Sequence, residues 1–162
     1  MIEYSLDTNA CIALINGSSV PVRRRFKEVL AEGSVVCVSS VAVHELWYGV
    51  SKSARRDYNT ERVQAFLRGP IHVLPFDDAD ARAVGEVRAL LEQERRPIGA
   101  YDALLAGQAA RRGFTLVTAN VREFERVDGL MWEDWSRPYG APWSRPYGAP
   151  GSCPDGTPGS RP

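Results

Sequence analysis

Lysine is almost missing from this chain. Lys27 and Lys52 are the only two among twenty basic residues, and the rest are arginine. Arginine's planar fork suits phosphate oxygens, although a coding bias toward arginine leaves the same skew. An excess of either charge is missing too: 20 basic residues meet 20 acidic ones, for a formal net charge of zero. That argues against a bulk nucleic-acid binder and leaves room only for a local basic face. No apolar run approaches the roughly 20 residues needed to span a bilayer. The opening Met1-Ile2-Glu3-Tyr4-Ser5-Leu6 has no basic start and no apolar leader. No secretory signal is read, no membrane is expected as a partner, and the expected location is the cytoplasm. Cysteine is scarce and scattered at Cys11, Cys37 and Cys153. An odd, unclustered set argues against a disulfide framework and against a zinc site, and predicts idle or buried thiols. Of the two histidines, His44 lacks the paired spacing of a zinc protease and His72 falls in a strand pattern as a structural residue. Neither reads as catalytic.

What is present is enough apolar material for one packed domain: 162 residues, 44% of them hydrophobic. Residues 1–135 read as that domain, and residues 136–162 as a Pro/Gly-rich tail. The eight residues 135–142, Trp-Ser-Arg-Pro-Tyr-Gly-Ala-Pro, recur unchanged at 143–150. Proline removes amide donors and glycine adds chain entropy, so the tail is expected to be disordered, with no packed element. Two short copies do not make a solenoid.

The body alternates strand-like and helix-like stretches. Strands are predicted at 2–6, 35–38, 71–74 and 114–117, with a short fifth at 130–132. Helices are predicted at 10–15, from Pro21 to about 31, from a Ser39 or Ser40 cap to 50, and at 60–67, 77–94 and 100–112. Gly113 closes the last of them. Strands spaced by helices imply crossover units, and hence a three-layer α/β/α fold with a mainly parallel central sheet. Ligands of such sheets gather at the carboxyl ends of the strands.

The polar residues just past those ends therefore carry the argument. Asp7 follows the first strand directly, where an aspartate is also an ordinary helix cap. Glu45 lies about one turn into the helix after the second strand, among Val41, Val43, Leu46 and Trp47. Asp102 lies at the start of the helix that follows Pro97-Ile98-Gly99, beside alanine and leucine, and reads as the least solvated of the three. Either acid also serves as a complement to a helix dipole. Thr118, Asn120 and Glu123 follow the fourth strand, where Thr118 and Asn120 are ordinary turn formers. Taken together, the acids share one edge. Clustered carboxylates raise one another's pKa unless a cation neutralises them, and Mg²⁺ accepts such oxygen ligands while keeping several waters. Such an ion activates water and stabilises phosphoryl displacement, so the pattern predicts a metal-dependent phosphodiesterase acting on nucleic acid.

The pieces Leu6-Asp7-Thr8-Asn9, His44-Glu45-Leu46-Trp47-Tyr48-Gly49 and Leu74-Pro75-Phe76-Asp77 occur in order along the body. Pro97-Ile98-Gly99-Ala100-Tyr101-Asp102, Leu116-Val117-Thr118-Ala119-Asn120-Val121-Arg122-Glu123-Phe124 and Val127-Asp128-Gly129-Leu130 follow them. The body ends with Glu133-Asp134-Trp135. In that order, over essentially all of 1–135, the chain resembles the PIN-domain ribonucleases, and among them the VapC-type toxins of bacterial toxin–antitoxin pairs. The duplicated tail has no counterpart in the family pattern. The resemblance implies an endoribonuclease dependent on Mg²⁺ or Mn²⁺. Asp7, Glu45 and Asp102 fall on the family's acidic triad, with Asp7 and Asp102 as the usual metal ligands and Glu45 completing the pocket. Asn120 falls where many members carry a fourth acid; it can offer a carbonyl oxygen or hold a water but cannot act as a base. Thr8 and Thr118 are expected to hydrogen-bond the carboxylates. The implied partners are RNA, a small antitoxin that lies in a groove and blocks the pocket, and a second copy of the chain. Trp47, Tyr48 and the apolar face of the early helices are the expected groove walls, with ordinary core as the competing reading, evenly weighed for Trp47. The competing reading is a catalytically weak PIN-like module that binds RNA or acts as a scaffold. A phosphoacceptor domain or a dehalogenase-type phosphatase needs a late lysine, and no lysine follows Lys52.

Overall fold

A computed structural model describes residues 3–137 and the backbone of Ser144–Arg145. Cys153 and the rest of the tail lie outside the described residues. The chain begins with β1 (Glu3–Leu6), α1 (Thr8–Asn16), α2 (Val20–Ala31), β2 (Val35–Ser39), α3 (Ser40–Lys52) and α4 (Arg56–Leu67). It continues through β3 (His72–Leu74), α5 (Asp78–Gln93), α6 (Ala100–Arg112), β4 (Thr115–Val117), α7 (Val121–Phe124), β5 (Met131–Glu133) and β6 (Ser144–Arg145). The sheet order is β3-β2-β1-β4-β5-β6, parallel throughout except for β6. The predicted three-layer α/β/α architecture is the one observed.

Short-range chemistry accounts for most element ends. Ser39 caps α3 by accepting from the Val41 amide, and Asp77 forms a reciprocal capping box with Asp80 at the start of α5. Gly113 ends α6 at φ 69°, a left-handed conformation that costs glycine little. Three elements differ from expectation. α4 starts at Arg56 rather than near residue 60, because nothing in its first turn breaks a helix and its start has no side-chain cap. α7 is a single short helix where only turn formers were read. β6 falls in the tail, where no element was expected; it pairs antiparallel to β5, Trp132 with Arg145 and Glu133 with Ser144.

The core runs along the strands and the helices packed on them. Leu6, Val38, Leu116 and Val117 are fully sequestered, as are Val29, Ala42, Ala106, Phe124 and Leu130. Tyr4 meets Trp135 edge-to-face at 5.3 Å, which ties the end of the body to β1. The crossovers from β1 to β2 to β3 run outward through α1–α4. The chain then returns past β1 through α5 and α6 to reach β4, and α5 packs along α6. The direction of travel therefore reverses between β1 and β4, the place where ligands of open α/β sheets bind. Cys11 and Cys37 are buried free thiols, as expected, and burial pushes Cys37 up to about 11. His72 is exposed on the edge strand β3. No helix among the described residues is long and apolar enough to cross a membrane.

Candidate active site

The parallel register fixes the floor of the site. Leu6 stands opposite Val38 on one side and Val117 on the other. The next residues along, Asp7, Ser39 and Thr118, therefore emerge side by side at one edge. The Asp7 amide donates to the Val117 carbonyl at 3.0 Å, which carries the ladder one residue past β1.

Asp7 is both of the things its position allowed. It caps α1, with Oδ1 accepting from the Ala10 amide at 2.6 Å. It is also the most buried of the three acids, 4% exposed, which corrects the expectation that Asp102 would be. Burial pushes its carboxyl up to about 6 from 3.8. Hydrogen bonds from Thr118 and Ala10 pull the other way, and the charges of Asp102 and Glu45 add to the rise. Glu45 is the sixth residue of α3, past the first turn, so it is not there to complement the helix dipole. The Thr8 hydroxyl donates to Glu45 Oε2. Both threonines thus hold carboxylates as expected.

Asp102 lies in the first turn of α6 and is half-buried. Burial raises its carboxyl, with Glu123 and then Glu45 adding to the rise by their charge. Gly99, just before the helix, leaves room for this carboxylate to fold back: a Cβ there would stand 3.3 Å from Asp102 Oδ2. Asn120 is exposed and turns its amide Nδ2 toward Asp102 Oδ2 at 3.4 Å, while its backbone amide donates to Thr118 Oγ1 at 3.0 Å. Glu123 reaches the site as well. It accepts from the Gly99 amide at 3.3 Å and is the strongest charge acting on Asp102. It was visible in the sequence as the acid three residues after Asn120, yet its part in the site depended on α7, which sequence patterning missed.

The structure therefore brings Asp7, Glu45, Asp102 and Asn120 to one edge and adds Glu123. Among the described residues, no three His, Cys, Asp or Glu side chains form a ready-made metal cage. The acids are near enough to feel one another's charge without closing on a common point. Beside them, a cavity of about 200 Å³ opens between α1, α3 and α4. Ile12, Ile15, Leu46, Val50 and Val63 line it, and Glu45 is at its acidic end. Of the expected groove walls, the apolar faces of the early helices line it, and Trp47 and Tyr48 do not. Trp47 packs against the core and Tyr48 is exposed, 58% of its surface open.

A mainly parallel α/β/α sheet with acids gathered at its reversal point is the architecture of an α/β domain with an acidic ligand pocket at the carboxyl edge of its strands. The chain belongs to the PIN domain family, whose model matches residues 4–130. It is 44% identical over 136 residues to the tRNA(fMet)-specific endonuclease VapC of Shigella flexneri, covering 84% of this chain and all of that protein. It is 36% identical over 134 residues to Ribonuclease VapC2 of Rickettsia felis, covering 83% of this chain and 98% of that protein. Among solved structures it resembles VapBC2 from Rickettsia felis bound to a DNA fragment from its promoter. The TM-score is 0.77 at 35% identity, over 83% of this chain and 99% of that one. DNA-bound VapBC from Salmonella typhimurium is similar, with TM-score 0.76 at 38% identity over the same shares.

Proposed function

We propose that this chain is the endoribonuclease toxin of a toxin–antitoxin pair and that it hydrolyses RNA with a divalent cation, Mg²⁺ or Mn²⁺, held by Asp7, Glu45 and Asp102. The observation that carries the reading is the gathering of these acids at the strand edge beside the β1/β4 reversal point, where burial raises the carboxyls of Asp7 and Asp102 and neighbouring carboxylates add to the rise. A hard cation is the natural relief for such a set. It fits donors that do not form a closed cage, since Mg²⁺ keeps several waters of its own. When bound, it would neutralise the pocket and make water a better nucleophile toward a phosphodiester.

The side chains divide the remaining work. Thr118 and the Ala10 amide fix the Asp7 carboxylate, and Thr8 fixes that of Glu45, so neither needs to reorganise as charge develops. Asn120 holds Asp102 through its amide and cannot accept a proton, so proton removal falls to a carboxylate. Glu123, which accepts from the Gly99 amide beside Asp102 and is not among the proposed cation ligands, is the group available for it. The relatives' names make a transfer RNA the first substrate to test, and an antitoxin the first protein partner. The apolar cavity ending at Glu45 suits an antitoxin segment with an aliphatic face and a cationic tip. A second copy of the chain is a further expected partner, and the cytoplasm the expected location.

The test is cleavage of transfer RNA by the purified chain. Activity is expected with Mg²⁺ or Mn²⁺ and is expected to disappear with EDTA and in Asp7→Asn. Asp102→Asn is expected to lose cleavage while still binding RNA. Cleavage that survives EDTA or both substitutions would overturn the assignment. A wild-type chain that binds RNA without cutting it would instead favour the non-catalytic module.

A further inference from the structure

Two aromatic rings meet directly beside the acids. His44 on α3 and Tyr101 on α6 stack with centroids 5.7 Å apart and planes 29° from parallel. Each is the residue immediately before an acid of the site, His44 before Glu45 and Tyr101 before Asp102. The ring pair therefore bridges the same two helices that present the acids, one residue around each helix. Both rings lie at the surface: His44 is exposed, and 47% of Tyr101 is open. The core does not require them.

The row continues along α3. His44, Tyr48 and Lys52 are spaced i, i+4, i+8, which aligns them on one helix face with about 6 Å of rise per step. Tyr48 is exposed, and Lys52 places its ammonium 5.0 Å from the Tyr48 ring centroid. Lys52 is one of only two lysines in the chain. Aromatic faces followed by a cation, leading away from a phosphodiester-cleaving pocket, match the demands of single-stranded RNA. Unpaired bases stack on aromatic side chains, and cations neutralise the backbone between them.

We propose that the His44–Tyr101 pair is a base-stacking platform. It seats an unpaired base next to the scissile phosphate, and Tyr48 and Lys52 carry the strand onward along α3. The proposal rests on the ribonuclease reading above and adds to it how RNA is positioned: an unpaired base is free to stack on the rings, whereas a paired base is held within its own helix.

Fluorescence and kinetics of the full chain test this together. The probe is a short single-stranded RNA with 2-aminopurine at successive positions, bound to the Asp102→Asn variant, with its duplex form as control. Quenching is expected for the single strand at one or two adjacent positions and not for the duplex. Tyr101→Ala and His44→Ala are expected to abolish that quenching. In the otherwise wild-type chain they are expected to raise KM for RNA cleavage by about tenfold, the scale of one lost base stack, with kcat much less affected. Tyr101→Phe keeps the ring and is expected to restore both readouts. Circular dichroism and melting temperature establish that each variant folds.

Unchanged quenching and KM in Tyr101→Ala would overturn the platform, as would Tyr101→Phe failing as badly as the alanine variant. A changed sedimenting mass in Tyr101→Ala with quenching intact would also overturn it, assigning the rings to a protein contact. Ring-dependent quenching by a chain that cleaves no RNA would sink the nuclease reading and leave the platform standing. Cleavage indifferent to both rings would do the reverse.

Discussion

Asp7 does two jobs that pull against each other. As a helix cap it prefers its charged form, because the Ala10 amide and Thr118 both donate to it. As a buried group near Glu45 and Asp102 it prefers to be neutral, and burial wins: its carboxyl rises to about 6. The folded state therefore binds this proton more tightly than the unfolded chain does. The stability linked to that proton is fully present below the unfolded value of about 3.9 and is lost as pH rises through about 6. Holding Asp7 ionised in the metal-free fold at neutral pH costs about 3 kcal/mol, at about 1.4 kcal/mol per pKa unit. In EDTA, Asp7→Asn is expected to melt at the wild-type temperature near pH 3.5 and several degrees higher above pH 6.5. Added Mg²⁺ should raise the melting temperature of the wild type and leave that of the variant in place. Thermal melts across pH, with and without Mg²⁺, check both statements. The sequence made Asp7 legible as a cap or a ligand but did not rank its burial against that of Asp102. Burial depends on which strand is central, and β1 is flanked by β2 and β4, which join it from distant parts of the chain.

The pairing of α5 with α6 shows a different limit of sequence reading. Both helices are readable in outline from amphipathic spacing and from Gly113 as the close of the second. Their closeness is not. Gly107 of α6 faces Val84 of α5 so tightly that a Cβ there would stand 2.9 Å from the Val84 Cα. Gly107→Ala therefore has to push the helix backbones apart, at an expected cost of about 1–3 kcal/mol, measurable by urea denaturation. Asp80 was also missed as a structural residue, since a first-turn acid ordinarily faces water. It is fully buried, receives Arg111 Nε at 2.7 Å and Arg112 Nη2 at 2.8 Å, and also accepts from Gln108 Nε2 at 2.8 Å. Burial works against its charge. The bonds from Arg112, Gln108, the Asp77 amide and Arg111 outweigh it and hold the carboxyl well below the ordinary range. Its contribution is fully present above the unfolded value of about 3.9 and drains away as pH falls below it. Asp80→Asn is expected to cost roughly 3 kcal/mol at pH 7. The gap from the wild type should narrow in denaturation curves taken toward pH 2.

For the molecule as a whole, alternation of elements was enough to read the α/β/α layering and a parallel sheet. The strand order could not be read, because it depends on the chain turning back past β1 after β3. That reversal is what gathers the site, and it draws its members from far apart: residue 7, residue 45, residue 102 and the stretch 118–123. β4 must stand beside β1, and the Thr118 amide must reach the Glu133 carbonyl at 3.0 Å, before Thr118 can hold Asp7. A chain made from its N-terminus acquires Asp7 and Glu45 early, with nothing to oppose them. Ribosome-bound chains halted at increasing lengths are expected to cleave no added RNA until the segment through residue 133 has emerged, and then to cleave abruptly. RNA degradation by a length series of stalled complexes would show the step. Competence to cleave RNA is thus expected to wait until β5 has been made and has paired with β4. The spacing of these residues along the chain would then set an interval between the start of synthesis and the first cleavage, long enough for a partner made beforehand to meet the finished fold.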